Sequence, residues 1–233
     1  MSINIAIDGT SGSGKSSVAS KLADLLNFYH LNTGQLYRAF AFKCLKLGLT
    51  EPTYEDVLTL IKTTKVDVKF KNKKQCTFLD GKDVTKYLND NKIGTIASLI
   101  SPYQELRNEV VFIQRDLASE YNIIIEGRDI ATKIIPNADY KFFITASAEA
   151  RAERRYKQLL EAGKQVTFEE ILQGLKERDE KDINRENSPL IQSRDSVLIE
   201  TSNLSFDEVV DLVLSYIDKK HYKNDQQEKD CLK

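Results

Sequence analysis

Apolar and polar residues alternate through Ile3-Asn-Ile5-Ala-Ile7, and this β-branched run predicts a strand. Downstream, Val18, Leu22 and Leu25 recur at helical spacing with Ala19, Ala23 and Leu26 beside them, which predicts a helix. Tyr29 to Arg38 reads as a strand end plus a turn, and Ala39 to Leu47 is helical in composition. The pattern changes over residues 66–88. Val66-Asp-Val68-Lys-Phe70-Lys alternates, and Cys76-Thr-Phe-Leu79 leads into Asp80-Gly81, a hairpin signal, so a small antiparallel sheet is expected to end near Asp90. From Ile93 to Ser119 the pattern is helical, with a break at Ser101-Pro102.

The runs Ile123–Ile125, Lys141–Thr145 and Val197–Thr201 are short, apolar and predicted to be buried parallel strands. Two helices are expected between the last two. One spans Ala148 to Leu160, and the other starts at Thr167 with Glu170 in a capping box. Ser205-Phe-Asp-Glu208 caps a terminal helix running to about Ile217, and the polar stretch Asp218 to Lys233 is expected to be disordered or frayed. Strands alternating with helices predict an α/β fold with a parallel central sheet, interrupted by the antiparallel insertion.

Composition narrows the function. The chain has 233 residues, 41% of them hydrophobic, and a net charge of −1. That is enough for a sizeable core, with no global field to draw nucleic acid or an anionic membrane. Any anion site is therefore local. Cys44, Cys76 and Cys231 are far apart and odd in number, so neither a disulfide framework nor a zinc site is suggested, and the chain reads as cytoplasmic. His30 and His221 lack metal-motif spacing. No secretion signal and no spanning apolar run is expected, and a monomer is the default.

Between the first strand and helix lies Gly9-Thr10-Ser11-Gly12-Ser13-Gly14-Lys15-Ser16, which matches G-x-x-x-x-G-K-[ST] in its required setting. Such a loop wraps a triphosphate in backbone N–H groups, because little side-chain bulk stands in the way. Lys15 is placed for the β- and γ-phosphates and Ser16 for Mg2+, and Ser17 opens a helix whose dipole also favours the anion. Glu126-Gly127-Arg128-Asp129 ends a buried strand, at the sheet edge where such folds bind ligands. Arg38 lies near a helix start, where a cation serves an anion. Arg151, Arg154 and Arg155 precede a charged helix ending Lys176-Glu-Arg178-Asp179-Glu-Lys-Asp182-Ile-Asn-Arg185, which suggests a lid over phosphates. A guanine-nucleotide switch is excluded, since Asn91-Lys92-Ile93-Gly94 fails N-K-x-D at its last position.

These residues resemble bacterial cytidylate kinase, a P-loop nucleoside monophosphate kinase family, from Ile3 to about Ile217. Ile7-Asp8-Gly9 with its loop resembles I-D-G-x-x-G-[SA]-G-K-[SG]; Leu31-Asn32-Thr33-Gly34-Gln35-Leu36-Tyr37-Arg38 resembles L-D-[ST]-G-x-x-Y-R; Glu126 to Thr132 resembles D-G-R-D-[IM]-G-T. Lys176 to Arg185 with Pro189-Leu190, and Leu79 to Thr85, are similar to K-E-R-D-x-R-D-x-N-R…P-L and L-N-G-x-D-V-T. The resemblance implies a three-layer P-loop NTPase fold forming one domain over residues 1–217. Its core is about 1–62, 120–150 and 187–217, with an acceptor-binding insertion of about 63–119 and a helical arginine-rich lid of about 151–186. It implies ATP with Mg2+ as donor and CMP or dCMP as acceptor; the alternative reading is a different acceptor such as UMP.

By resemblance Arg38, Arg128 and Arg185 hold the acceptor 5′-phosphate, and Ser98, Arg107 and Asp129 read the cytosine. Asp182, Arg178 and Tyr37 hold the ribose, Thr33 lies in the acceptor site, and Arg154 and Arg155 serve the donor. Lys15, Arg128 and Arg185 are the expected catalytic cations. Asn32, Glu126 and Ala131 stand where the family usually has Asp, Asp and Gly. Glu126 keeps the charge at longer reach, and Asn32 loses one.

Overall fold

The structure, a computed structural model, describes residues 2–217; the expectation for the polar tail and the positions of His221 and Cys231 lie outside them. The chain opens with β1 (Asn4–Gly9), the glycine loop, α1 (Lys15–Leu26), β2 (Tyr29–Asn32) and α2 (Thr33–Lys46). Next come α3 (Tyr54–Thr63) and the antiparallel strands β3 (Val66–Lys71), β4 (Lys74–Leu79) and β5 (Lys82–Asp83). A single 3₁₀ turn (Thr85–Tyr87) leads to α4 (Asn91–Ile100) and α5 (Gln104–Glu120). The chain then returns to the main sheet with β6 (Ile123–Glu126), β7 (Tyr140–Thr145), α6 (Ala148–Glu161), α7 (Phe168–Asn184), β8 (Val197–Glu200) and α8 (Phe206–Tyr216).

The main sheet is parallel, in the order β2-β6-β1-β7-β8. Because strand side chains alternate, each buried strand feeds both faces. Ile5, Ile7 and Ile124 pack with α1 and α8, whereas Ala6, Ile123 and Ile125 pack with α2, α4 and α5. Three layers result. Val66, Val68 and Leu79 of the small sheet enter the same apolar cluster as α2, and Phe70 packs on Tyr29 at 4.8 Å between ring centroids. The expected break at Ser101-Pro102 separates α4 from α5, and the capping boxes at Thr167/Glu170 and Ser205/Glu208 are both formed.

The structure departs from the sequence pattern in two places. Helix α2 begins at Thr33, not at Ala39, so the expected turn over Asn32–Arg38 is helical from its second residue. Leu36, Ala39 and Phe40 are buried at helical spacing, and packing makes the segment helical despite the low helix propensity of Gly34. Helix α3 was not expected; its signal is the capping box between Thr53 and Asp56, just after a proline.

Candidate active site

The sheet register sets the carboxyl ends of four strands, β2, β6, β1 and β7, side by side. Ile7 pairs with Glu126, Glu126 with Asn32, and Gly9 with Ile144. The glycine loop springs from the central strand, where crossovers leave in opposite directions and open a crevice. Gly9 has φ 144°, and a Cβ there would lie 1.8 Å from the Ile144 carbonyl oxygen, so no other residue fits. At Gly127 an added Cβ would meet Ile130 at 2.7 Å and Thr33 Oγ1 at 2.8 Å, which is the tight approach the sequence indicated.

Lys15 is only 6% exposed, and its ammonium lies against the Thr10 carbonyl and, at 3.4 Å, Ser13 Oγ. Burial, and next the charge of Arg128, push its pKa well below the ordinary lysine value. A buried cation whose charged form is disfavoured in this way gains from an anion brought beside it. Ser13 Oγ donates to the Thr10 carbonyl at 3.0 Å, and the Thr10 hydroxyl lies 3.3 Å from that of Thr145. Gly12, Gly14, Ser16 and Ser17 are exposed, while Ser11 is buried and its carbonyl accepts from Arg151 at 2.9 Å.

Asp8, 1% exposed, closes the loop from behind. Its two carboxylate oxygens accept the N–H groups of Ile130 and Ala131 at 2.8 Å each, pinning the wide helical turn Ile130–Ile134 that follows Asp129. Burial outweighs these bonds and raises its pKa to about 6. Ala131 serves this turn through its N–H without a positive φ, so the turn does not need glycine there.

Arg107 and Asp129 form a buried ion pair, with Arg107 3% exposed. Arg107 sits over the Tyr37 ring at 5.9 Å, and Arg185 Nη2 stands 3.9 Å from Asp129 Oδ1. Burial, partly offset by Arg107, pushes the Tyr37 hydroxyl up to about 12, so it stays protonated. Tyr37 thus belongs with this pair in space. Asp182 accepts from Arg128 Nε at 2.7 Å; burial opposes its charge, but Arg128, Arg178 and Arg185 together hold its pKa below the usual carboxylate value. Burial depresses Arg178, as does the neighbouring charge of Arg128 and then Arg38, while Arg38 itself is depressed by burial and next by Arg155. Among the described residues Arg178 Nε and Arg185 Nη2 are buried without a hydrogen-bond acceptor.

The remaining expected residues occupy diverse positions. Thr33 Oγ1 donates to the Glu126 carbonyl at 2.8 Å, and Arg38 Nη1 donates to the Leu88 and Asp90 carbonyls at 2.7 and 3.2 Å. Ser98 is exposed on α4, and its side chain makes no hydrogen bond among the described residues. Arg154 turns onto the hydroxyl and carbonyl of Thr201 at the end of β8, whereas Arg155 is exposed. Arg151, not singled out among the site residues, is the buried member of the trio. It bonds the Ala146 and Ser11 carbonyls and pairs with Asp179 at 2.6 Å, fastening α7 to the glycine loop. Asp8, Asp179 and His30 carry no site role in the sequence analysis. The available signals were a carboxylate closing an apolar strand and a lone histidine two residues before Asn32.

Ser16 Oγ donates to Glu126 Oε2 at 2.8 Å and accepts from Asn32 Nδ2 at 3.4 Å. A hydroxyl and a carboxylate beside a phosphate loop are oxygen donors that would suit Mg2+. No group of three or more His, Cys, Asp or Glu forms a metal cage among the described residues, and no helix there is long and apolar enough to cross a membrane.

Residues 5–219 match the cytidylate kinase family model. A cytidylate kinase of Clostridium botulinum (strain Loch Maree / Type A3) is 40% identical over 217 residues, covering 93% of this chain and 98% of that protein. The cytidylate kinase of Caldicellulosiruptor bescii is 38% identical over 212 residues, covering 91% and 94%. A solved structure of an uncharacterized protein from Eubacterium ventriosum shares the fold at TM-score 0.50 and 18% identity, covering 93% of this chain and 98% of that one. With the family match spanning nearly its whole length and the glycine loop, the buried Arg107–Asp129 pair and the arginine cluster assembled on one sheet edge, the chain belongs to the cytidylate kinase family.

Proposed function

We propose that the chain transfers the γ-phosphoryl group of ATP to the 5′-phosphate of CMP or dCMP, giving ADP and the nucleoside diphosphate. One observation carries this reading. Lys15, Arg178 and Arg38 are held below their ordinary pKa values, by burial first and next by the charge of Arg128 on Lys15 and Arg178 and of Arg155 on Arg38, as expected of a site built for two polyanions.

Repulsion between donor and acceptor phosphates is the main obstacle, and catalysis is positioning plus charge stabilisation. An acceptor phosphate oxygen attacks the γ-phosphorus as the bond to the ADP oxygen breaks in line. That oxygen is already an anion, so no strong general base is required. Lys15 and the loop N–H groups hold the donor phosphates, with Arg155 on the lid side. Arg38, Arg128 and Arg185 hold the acceptor phosphate, and Asp182 with Arg178 the ribose. Ser16 and Glu126 are the side chains that would hold Mg2+, which would supply neutralisation of charge on the donor phosphates. Helix α7, fastened by Arg151–Asp179 over the loop, keeps water from the transferred group. We take residues 63–119 as the acceptor subdomain and residues 151–186 as the lid.

Base choice follows from the buried pair. Arg107 donates and Asp129 accepts, which suits the ring acceptor and amino donor of cytosine, whereas uracil presents the opposite polarity. An assay of ADP release across the common monophosphates should give CMP a kcat/KM at least about tenfold above UMP, the effect of a single mispaired buried group. Asp129→Asn should narrow that ratio, since an amide also donates. Equal use of UMP and CMP by the parent, or an Asp129→Asn variant that lowers both alike, contradicts the assignment.

A further inference from the structure

Glu126 is 3% exposed and is held from two sides. Its Oε2 accepts from Ser16 Oγ at 2.8 Å, and its Oε1 lies 3.2 Å from His30 Nε2. His30 and Asn32 sit two residues apart on β2, so they face the same way, and the register sets Asn32 directly beside Glu126. An ionised carboxylate only accepts, so this contact puts the imidazole proton on Nε2. Asn32 is neutral, which leaves Glu126 as the only carboxylate hydrogen-bonded to Ser16 among the described residues.

A glutamate has one more rotatable bond than an aspartate and another partner within reach of its field, since the Lys15 ammonium feels the Glu126 charge. A carboxylate that swung onto Lys15 would leave Ser16 and would also neutralise the cation meant for phosphate. The ring of His30 opposes this by fixing Oε1 on the side away from the loop.

We propose that His30 is the positioning residue of the magnesium carboxylate: its Nε2–H holds Glu126 Oε1 so that Oε2 remains on Ser16, and cation uptake with the donor nucleotide depends on that contact. The inference rests on the magnesium reading above. Partners that orient a metal-binding carboxylate typically change metal affinity by about tenfold or more.

The test uses Mn2+ as the probe, with free Mn2+ counted by electron paramagnetic resonance in the presence of enzyme and a non-hydrolysable ATP analogue. His30→Leu should weaken Mn2+ uptake by about tenfold. His30→Gln, which keeps an N–H donor, should recover most of the loss. The kcat lost by His30→Leu should return as Mg2+ is raised, a recovery that misfolding would not show. In Glu126→Asp the shorter side chain falls short of the ring, so adding His30→Leu should cost nothing further. If His30→Leu does not fold, His30→Asn, whose amide stops short of Oε1, takes its place. Unaltered Mn2+ affinity in the His30 variant, or the same loss in the Glu126→Asp background, overturns the proposal. A parent enzyme that takes up no Mn2+ with the analogue overturns the magnesium reading itself.

Discussion

Lys15 shows how a functional residue opposes the fold that carries it. Its ammonium is buried beside Arg128, which disfavours the charged form of the ligand-free protein. Lys15→Met should therefore lower kcat by at least about a hundredfold, the scale of losing one preorganised donor, while the ligand-free unfolding midpoint stays at or above that of the parent. A variant that unfolds earlier would show that the lysine stabilises the loop. Arg128 differs, because its Nε is committed to Asp182 while its charge reaches Lys15. Arg128→Ala should raise KM for CMP and lower kcat, since a charge-assisted contact both binds and orients the acceptor. An effect on KM for ATP alone would move this arginine to the other substrate.

Among the elements, α7 is the one held by charge and caps. None of its residues is fully buried, and its attachments include Arg151–Asp179 at 2.6 Å, Arg128–Asp182 at 2.7 Å, Lys176–Glu149 at 3.2 Å and the Thr167/Glu170 capping box. Elements with little buried apolar surface open locally, well below the free energy of global unfolding. Thr167→Ala, which removes about 1 kcal/mol of capping, should speed amide exchange within α7 about fivefold and leave the main transition in place. A matching shift of the whole unfolding curve would mean that α7 is part of the cooperative core. This helix and its cap were legible in the sequence from Thr167 and Glu170. The start of α2 was not, because Gly34 mimics a turn and only burial of Leu36 and Phe40 makes the segment helical.

For the whole molecule, the pH dependence of stability carries the signature of Asp8. Its pKa is raised from 3.8 to about 6, chiefly by burial, so between these values the folded protein keeps a proton that the unfolded chain has released. The contribution of this group is complete below about pH 4 and is lost as pH rises through about 6. Carboxylates held below their usual range, such as Asp56, Asp80 and Asp195, act in the opposite sense. They are common to parent and variant and cancel in the comparison. In denaturant titrations the stability of the parent relative to Asp8→Asn should be greater at about pH 4.5 than at about pH 7, by about 2 kcal/mol. A difference independent of pH would remove Asp8 as the source.

What the chain alone determined is local: the glycine loop in its strand–helix setting, the hairpin at Asp80-Gly81, the caps at Thr167 and Ser205, and the alternating order of strands and helices. These depend on residue type and near neighbours, so they can be read along the sequence. Which charges face which was decided by tertiary structure, through strand order and register. Glu126 meets Ser16 and His30, Asp8 meets Ile130 and Ala131, and Arg151 turns inward to Asp179 while Arg154 turns to Thr201. Arg151 and Arg154 are neighbours on one helix with the same side chain. Only the packing of α6 against the loop and α7 distinguishes the buried latch from the residue at the sheet end.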